Sequence, residues 1–178
     1  MRTSDYCGLR TLFAIAVLLV TLETARAGEQ PVSRYTSTAR AKAISFKEDN
    51  EPAGGFRALL PGLGGYQLEH LSGDERSWID IRFGKAKADL YSATMEVGPG
   101  SFPHKANDVV EWRGVEVRGR FVPYALIYRL AGYNEEKNQT KTRLIVIKLD
   151  KERSAVLGYA EGAKEDEKAN QLADTARP

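Results

Sequence analysis

The fold is decided by two apolar runs, PYALIYRL at residues 123–130 and TRLIVIKL at residues 142–149. Both runs are rich in β-branched and aromatic residues, which are enriched in strands. The polar segment NEEKN at residues 134–138 lies between them and is typical of a hairpin tip. Because both faces of each run are apolar, we predict two central strands packed on both sides. Pro123 has no backbone donor, so it should begin its strand or lie at a bulge.

Alternation of apolar and polar residues extends this pattern towards the N-terminus. Strand-like runs cover residues 56–60, 66–71, 78–83, 108–113 and 115–122, separated by turn sequences such as PGLGG at 61–65 and SGDE at 72–75. We interpret residues 38–48 and 85–97 as further strands and residues 98–103 as a loop. The pattern predicts a mainly β (α+β) fold, built as an antiparallel sheet or a small sandwich or barrel.

The C-terminal segment has a different composition, with alanine and charged residues of good helix propensity. Its apolar face is thin, so we expect a helix lying on the surface of the sheet. The predicted organisation is a signal peptide at residues 1–27, a flexible lead-in at 28–37, an antiparallel β domain at 38–160, and a C-terminal helix and tail at 161–178.

The first 27 residues are typical of an export signal, which would place the mature protein in the periplasm or outside the cell. Arg2 and Arg10 precede an apolar run at residues 12–20, and small residues stand at positions 25 and 27. We predict cleavage between Ala27 and Gly28. The run is shorter than the roughly 20 residues that cross a bilayer, so no membrane span is expected after cleavage.

Charge and cysteine content exclude several function classes. The chain has 26 basic and 24 acidic residues, interleaved along the sequence, whereas a nucleic-acid binder shows a clustered basic excess. The single cysteine, Cys7, lies inside the predicted signal. The mature protein would therefore have no disulfide, thiolate nucleophile, cysteine zinc site or iron–sulfur cluster. We expect no metal and no cofactor.

The remaining motifs have ordinary structural explanations. The glycine-rich string at residues 61–65 lacks the Gly-Lys-Ser/Thr ending of a P-loop, so we interpret it as a strand-to-strand turn. His70 and His104 have no neighbouring ligand pattern and are expected half-exposed on a strand and in a proline loop, respectively. Asn138 begins an Asn-Gln-Thr glycosylation sequon on the hairpin tip.

Two surface constellations could carry function. Asp74 and Glu75 precede Trp78, and a glycosidase needs paired carboxylates beside a stacking surface. A turn aspartate that pairs with Arg76 is the alternative we favour. An aromatic and guanidinium patch that binds sugar or peptide could be formed by Trp112, Arg113, Tyr124, Tyr128 and Arg129, but core packing with peripheral arginines is the interpretation we favour.

Several of these strings together are similar to a set of short exported proteins of alphaproteobacteria that carry no assigned function. The resemblance lies in PGLGGY at residues 61–66, GDERS at 73–77, VEWRG at 110–114 and FVPYALI at 121–127. It spans most of the predicted β domain and implies a periplasmic address.

We therefore expect a non-catalytic binding or envelope-interaction module whose partner is a cell-envelope component or a small ligand. The expected binding surface comprises Tyr66, Asp74, Arg76, Trp112 and Arg113. The alternative is a cell-envelope hydrolase that uses Asp74 or Glu75 with Trp78 as a platform.

Overall fold

The computed structural model of the protein describes residues 30–49 and 54–178. The predicted signal peptide at residues 1–27 and its cleavage site between Ala27 and Gly28 lie outside these ranges. So do residues 50–53, in the middle of a predicted turn.

Strands dominate the described residues. They are β1 Val32–Ser37, β2 Ser45–Glu48, β3 Gly55–Pro61, β4 Tyr66–Gly73, β5 Arg76–Phe83, β6 Ala86–Ala88, β7 Ser101–Val117, β8 Arg120–Asn134, β9 Gln139–Lys148 and β10 Ala155–Ala160. Two α-helices accompany them, α1 Tyr91–Val97 and α2 Glu165–Asp174, with a 3-10 turn at Arg40–Lys42.

The strands form two antiparallel sheets. Sheet A has the order β1-β7-β8-β9-β10, and sheet B has the order β2-β3-β4-β5-β6. The predicted hairpin of two apolar arms is confirmed as β8 and β9, which pair from Ala125 with Lys148 to Asn134 with Gln139. Pro123 lies opposite Gly114 where the β7–β8 register shifts, as its missing donor requires.

The two sheets pack face to face around one apolar core. Sheet A contributes Trp112, Leu126, Tyr128, Ile145 and Ile147, and sheet B contributes Leu60, Leu68, Ile79 and Ile81. Neither sheet closes on itself, since each ends in two edge strands. The predicted mainly β, antiparallel architecture is therefore confirmed in its sandwich form.

Helix α2 covers the outer face of sheet A, which confirms the predicted C-terminal surface helix. Ala169 and Ala173 of α2 are buried against an apolar cluster that includes Tyr124. Asp174 accepts hydrogen bonds from Arg113 Nε and Nη2 at 2.8 and 2.9 Å and from the Tyr124 hydroxyl at 2.5 Å. Burial, together with the Asp174 carboxylate, raises the pKa of Tyr124 to about 12, so its hydroxyl stays a donor. Sheet A is thus covered on both faces.

The predicted flexible lead-in is wrong for Val32–Ser37, which form strand β1. This strand pairs with β7 from Val32 opposite Gly114 to Ser37 opposite Val109. Its polar composition suited a loop, but backbone pairing does not require an apolar side chain at an edge. Thr36 also anchors the strand, because Trp112 Nε1 donates to its hydroxyl oxygen at 2.8 Å.

The interpretation of residues 85–97 as one strand is wrong beyond the short β6. Residues 91–97 form helix α1, which begins where Asp80 Oδ1 and Asp89 Oδ1 accept the backbone N–H groups of Leu90 and Tyr91. Leu90 and Thr94 are buried, so tertiary packing selects the helix. Two smaller corrections concern residues 40–42, which form a 3-10 turn, and residues 101–103, which already belong to β7.

Among the described residues, neither helix combines the length and the hydropathy that a membrane crossing requires.

Candidate functional site

The space between the two sheets is open at one end and forms a cleft of about 840 Å³. Strands β2 to β5 of sheet B supply one wall, and residues 103–108 of β7 supply part of the other. Two further residues line the cleft: Thr38, whose backbone N–H donates to the Asp108 carbonyl oxygen of β7, and Arg40, which pairs with Glu48 of β2. A volume of this size is in the range of small-molecule sites, about 300–1,000 Å³.

The register of sheet B explains why the cleft exists. Side chains that lie opposite each other in neighbouring strands share a face, so the inner face consists of successive rows. Leu60, Leu68 and Ile81 form one row, and Ala58, His70 and Ile79 form the next. In the last row, Phe56 lies opposite Ser72, and Ser72 lies opposite Ser77. The serines leave space that leucine and isoleucine fill further along.

A buried histidine forms the floor of the cleft. The His70 ring is only 6% exposed, and its Nε2 lies 2.8 Å from the hydroxyl oxygen of Ser77, which is 5% exposed. The Thr38 backbone also lies near the ring and favours its protonated form. Burial lowers the pKa of His70, although the Thr38 backbone and the Asp108 carboxylate oppose the shift. The expectation that His70 is half-exposed is therefore wrong.

The contact between His70 and Ser77 joins two groups that can each donate or accept. In the neutral imidazole, one ring nitrogen carries a proton and the other is an acceptor. Nε2 could accept the Ser77 proton, as in nucleophilic catalysis. However, His70 and Ser77 are both buried and already bonded to each other, which is the state of a structural hydrogen bond. The accessible polar group on this floor is the half-buried Ser72 hydroxyl, which bonds to no other described residue.

Aromatic rings form the sheet B wall. Phe46 and Phe56 stack with their centroids 5.6 Å apart, and the His70 ring meets Phe56 edge-on at 4.9 Å. The guanidinium of Arg40 lies 3.9 Å from the centroid of Phe46 and pairs with Glu48 at 2.8 Å. The wall can therefore contact an apolar ligand body.

The predicted surface of five residues does not exist as one surface. Tyr66 is 7% exposed and Trp112 is fully buried, with their ring centroids 6.5 Å apart in the core. The interpretation of these two aromatics as binding residues is wrong, because both fill the core at the end of the sandwich opposite the cleft. Arg113 lies on the outer face of sheet A, where Asp174 binds its guanidinium.

Asp74 and Arg76 belong to the turn between β4 and β5. They form an ion pair with each other, as the sequence predicts, and the Arg76 guanidinium lies 4.6 Å from the ring centroid of Phe102. Both stabilise the turn, and neither lines the cleft.

The structure does not bring together the groups that the hydrolase alternative requires. Asp74 and Glu75 form a two-residue turn with φ of 48° and 59°, and only Glu75 reaches the rim of the cleft. Trp78 lies on the outer face of sheet B, 4.8 Å from the Tyr91 ring. The acids and their proposed platform therefore face different surfaces.

A second buried cluster lies on the outer face of sheet B. Glu69 and Asp80 are directly opposite each other, and Lys87 Nζ bridges them at 2.7 and 3.0 Å. Burial alone would raise the pKa of Glu69, but Lys87, Arg82 and Arg57 together lower it. Burial raises the pKa of Asp80 despite the Leu90 N–H and Lys87. None of Glu69, Asp80 and Lys87 lines the cleft, so we interpret the cluster as structural.

Sequence reasoning missed the residues that line the cleft, chiefly Phe46, Phe56, His70, Ser72 and Ser77. One signal was available for the pairing of Ser72 with Ser77, although not for the cleft itself. A two-residue turn at Asp74–Glu75 sets the register of β4 against β5 and places Ser72 opposite Ser77.

The fold and site define a class, an antiparallel β sandwich with a cleft at one open end. Comparisons with protein-family models, curated proteins and solved structures gave no match to this chain. Across residues 30–49 and 54–178, no group of three or more His, Cys, Asp or Glu side chains is placed to hold a metal ion.

Proposed function

We propose that this chain is an exported, non-catalytic binding protein that takes a small ligand with an apolar body into the cleft between its sheets. The observation that carries the proposal is the cleft itself, with a volume of about 840 Å³ and an aromatic wall. Sites for small molecules are mostly apolar with a few polar groups that fix orientation, and the Ser72 hydroxyl is such a group here.

Binding is favoured over catalysis by the state of the floor. The His70 Nε2 atom and the Ser77 hydroxyl are bonded to each other, and both residues are buried. A nucleophile needs access to its substrate, and Ser77 is only 5% exposed.

Export is supported by the N-terminal sequence. A positively charged start, a short apolar run and small residues before Gly28 together favour cleavage and release. The resemblance to short exported proteins of alphaproteobacteria agrees with a periplasmic address. The candidate ligand is then a small molecule of the periplasm or of the medium.

The cleft can be tested by filling it. Ser72→Phe places a ring in the cleft, whereas Ser45→Phe makes the same change at an exposed position on the outer face of sheet B. The probe is N-phenyl-1-naphthylamine, a neutral aromatic dye that fluoresces in apolar surroundings. We expect the wild-type and Ser45→Phe proteins to bind it alike and Ser72→Phe to bind it about tenfold more weakly, a loss of about 1.4 kcal/mol.

Thermal melting of both variants in the same buffer checks that each is folded. Equal binding of the dye by folded Ser72→Phe and wild-type protein would contradict the proposal, and so would a wild-type protein that does not bind the dye.

A further inference from the structure

The rim of the cleft carries an excess of negative charge. Asp49, Glu75 and Asp108 are exposed there, and none of the three forms an ion pair with another described residue. The fourth rim carboxylate, Glu48, is already neutralised by Arg40. Lys105 is the one rim cation without an ion pair among the described residues. The rim is therefore negative, although the chain as a whole has a formal charge of +2.

The aromatic wall, like the negative rim, favours a positively charged ligand. Ring faces attract cations, and arginine is the side chain most often found over them. The chain itself places such a cation here, because the Arg40 guanidinium lies over the Phe46 ring and contacts the Glu48 carboxylate. One cation is thus already bound by a ring and a carboxylate at the edge of this cleft.

The floor does not oppose a positive charge. Burial keeps the pKa of His70 below its ordinary value of 6.5, so the ring is neutral at pH 7.5. The Ser72 hydroxyl can accept a hydrogen bond from an ammonium or guanidinium group. Floor, wall and rim therefore all accommodate a cation.

We propose that the ligand of this cleft is an organic cation, a protonated amine or guanidinium carried on an apolar body. The inference rests on the proposed function, since it names the charge of the ligand that the cleft receives. The apolar body packs against Phe46 and Phe56, and the charged group lies among Asp49, Glu75 and Asp108.

Three probes with one carbon skeleton test the charge preference: 4-phenylbutylamine, 4-phenylbutan-1-ol and 4-phenylbutanoate. Binding at pH 7.5 and low salt is measured from the NMR shifts of the full chain. We expect the amine to bind about tenfold more tightly than the alcohol, since exposed ion pairs contribute up to about 1 kcal/mol each. The carboxylate should bind most weakly. Added NaCl should reduce the advantage of the amine and leave the alcohol unchanged.

A matched pair of variants locates the effect. The combined change Asp49→Asn, Glu75→Gln and Asp108→Asn should make amine and alcohol bind equally while the alcohol keeps its wild-type affinity. The control changes Glu96, Glu135 and Glu136 to Gln, three exposed acids that do not line the cleft. It removes the same total charge and should keep the tenfold preference.

The outcomes separate this inference from the proposed function. If the alcohol or the carboxylate binds as tightly as the amine, or if the control loses the preference, the charge inference is overturned while cleft binding stands. It is also overturned if none of the three binds to a protein that binds the neutral dye. If the amine binds Ser72→Phe as tightly as wild type, the cleft is not the site, and the proposed function fails with the inference.

Discussion

The two ends of the space between the sheets differ although the same strands bound both. At one end, which we call the closed end, Trp112 and Tyr66 fill the space and Phe83 contacts the Tyr66 ring at 4.9 Å. At the open end, Ser72, Ser77 and Ala58 stand on the same face of sheet B and leave the cleft. Sheet pairing is continuous through β3, β4 and β5 at both ends, so within sheet B the two ends differ in side-chain volume and not in pairing.

This difference indicates which residues determine the stability of the fold and which determine ligand binding. A packed interior loses energy whenever a side chain shrinks, because neighbouring atoms relax only partly into the gap. The walls of an open cleft do not pack against other side chains and are exposed to water. Substitutions at the closed end should therefore change the free energy of unfolding, and substitutions at the open end should change binding.

The strongest test removes the largest side chain of the closed end. Trp112→Ala should lower the free energy of unfolding by about 3–5 kcal/mol, the range for large aromatic residues in cores. It deletes a fully buried ring and the hydrogen bond that holds Thr36 of β1. Chemical denaturation followed by far-ultraviolet circular dichroism gives the value.

The matched change at the open end is Phe56→Ala, since Phe56 is half-buried and lines the cleft. We expect a loss of about 1–2 kcal/mol in the free energy of unfolding, because the Phe56 ring is only partly buried. Equal losses for Trp112→Ala and Phe56→Ala would remove the distinction between the two ends.

Two glycines give a finer test, Gly62 in the turn before β4 and Gly73 at the last position of β4. A Cβ on Gly62 would lie 2.5 Å from the Tyr66 carbonyl oxygen and 2.7 Å from Trp112 Cη2, whereas a Cβ on Gly73 would meet nothing within 4 Å. Gly62→Ala should therefore cost about 1–3 kcal/mol by overpacking. Gly73→Ala should change stability by less than about 0.5 kcal/mol. Thermal melting of both variants measures the contrast, and similar melting temperatures would contradict it.

The strands of the closed end could be predicted from the sequence, but the position of Trp112 in the core could not. The apolar runs of β8 and β9 identify central strands because strands buried on both faces have no polar alternation. Trp112 belongs to a run in which charged residues flank it, Glu111 and Arg113, and this alternation also suits a surface aromatic. Only the pairing of β7 with β1 and β8 turns its side chain inwards.

The cleft at the open end could not be predicted from sequence, because it results from small side chains at positions where larger ones would fill the core. Ser72, Ser77 and Ala58 carry no chemical motif, and small residues are common in turns and strands alike. The cleft also needs residues 103–108 of β7, about 30 positions after Ser72, to lie across from sheet B. Such a non-local arrangement leaves no periodic pattern in the chain.

The smallest expected effect concerns His70, which lies where the packed rows give way to the cleft. Burial lowers the pKa of His70 in the folded protein. Below pH 6.5, the imidazole therefore binds a proton more readily in the unfolded chain than in the folded protein. Stability should therefore fall as the pH decreases from about 7 towards 5, by about 1 kcal/mol and at most about 1.4 kcal/mol per pH unit. Glu69 and Asp174, whose pKa values are also lowered, lose their stabilisation at more acidic pH, below ordinary values of 4.5 and 3.8.

His70→Gln keeps a hydrogen-bonding side chain without the titration, so the difference in stability between wild type and variant should change from pH 7 to pH 5. A constant difference from pH 7 to pH 5, measured by urea denaturation, would show that His70 is not held neutral by burial and that the floor of the cleft is wetter than its packing implies.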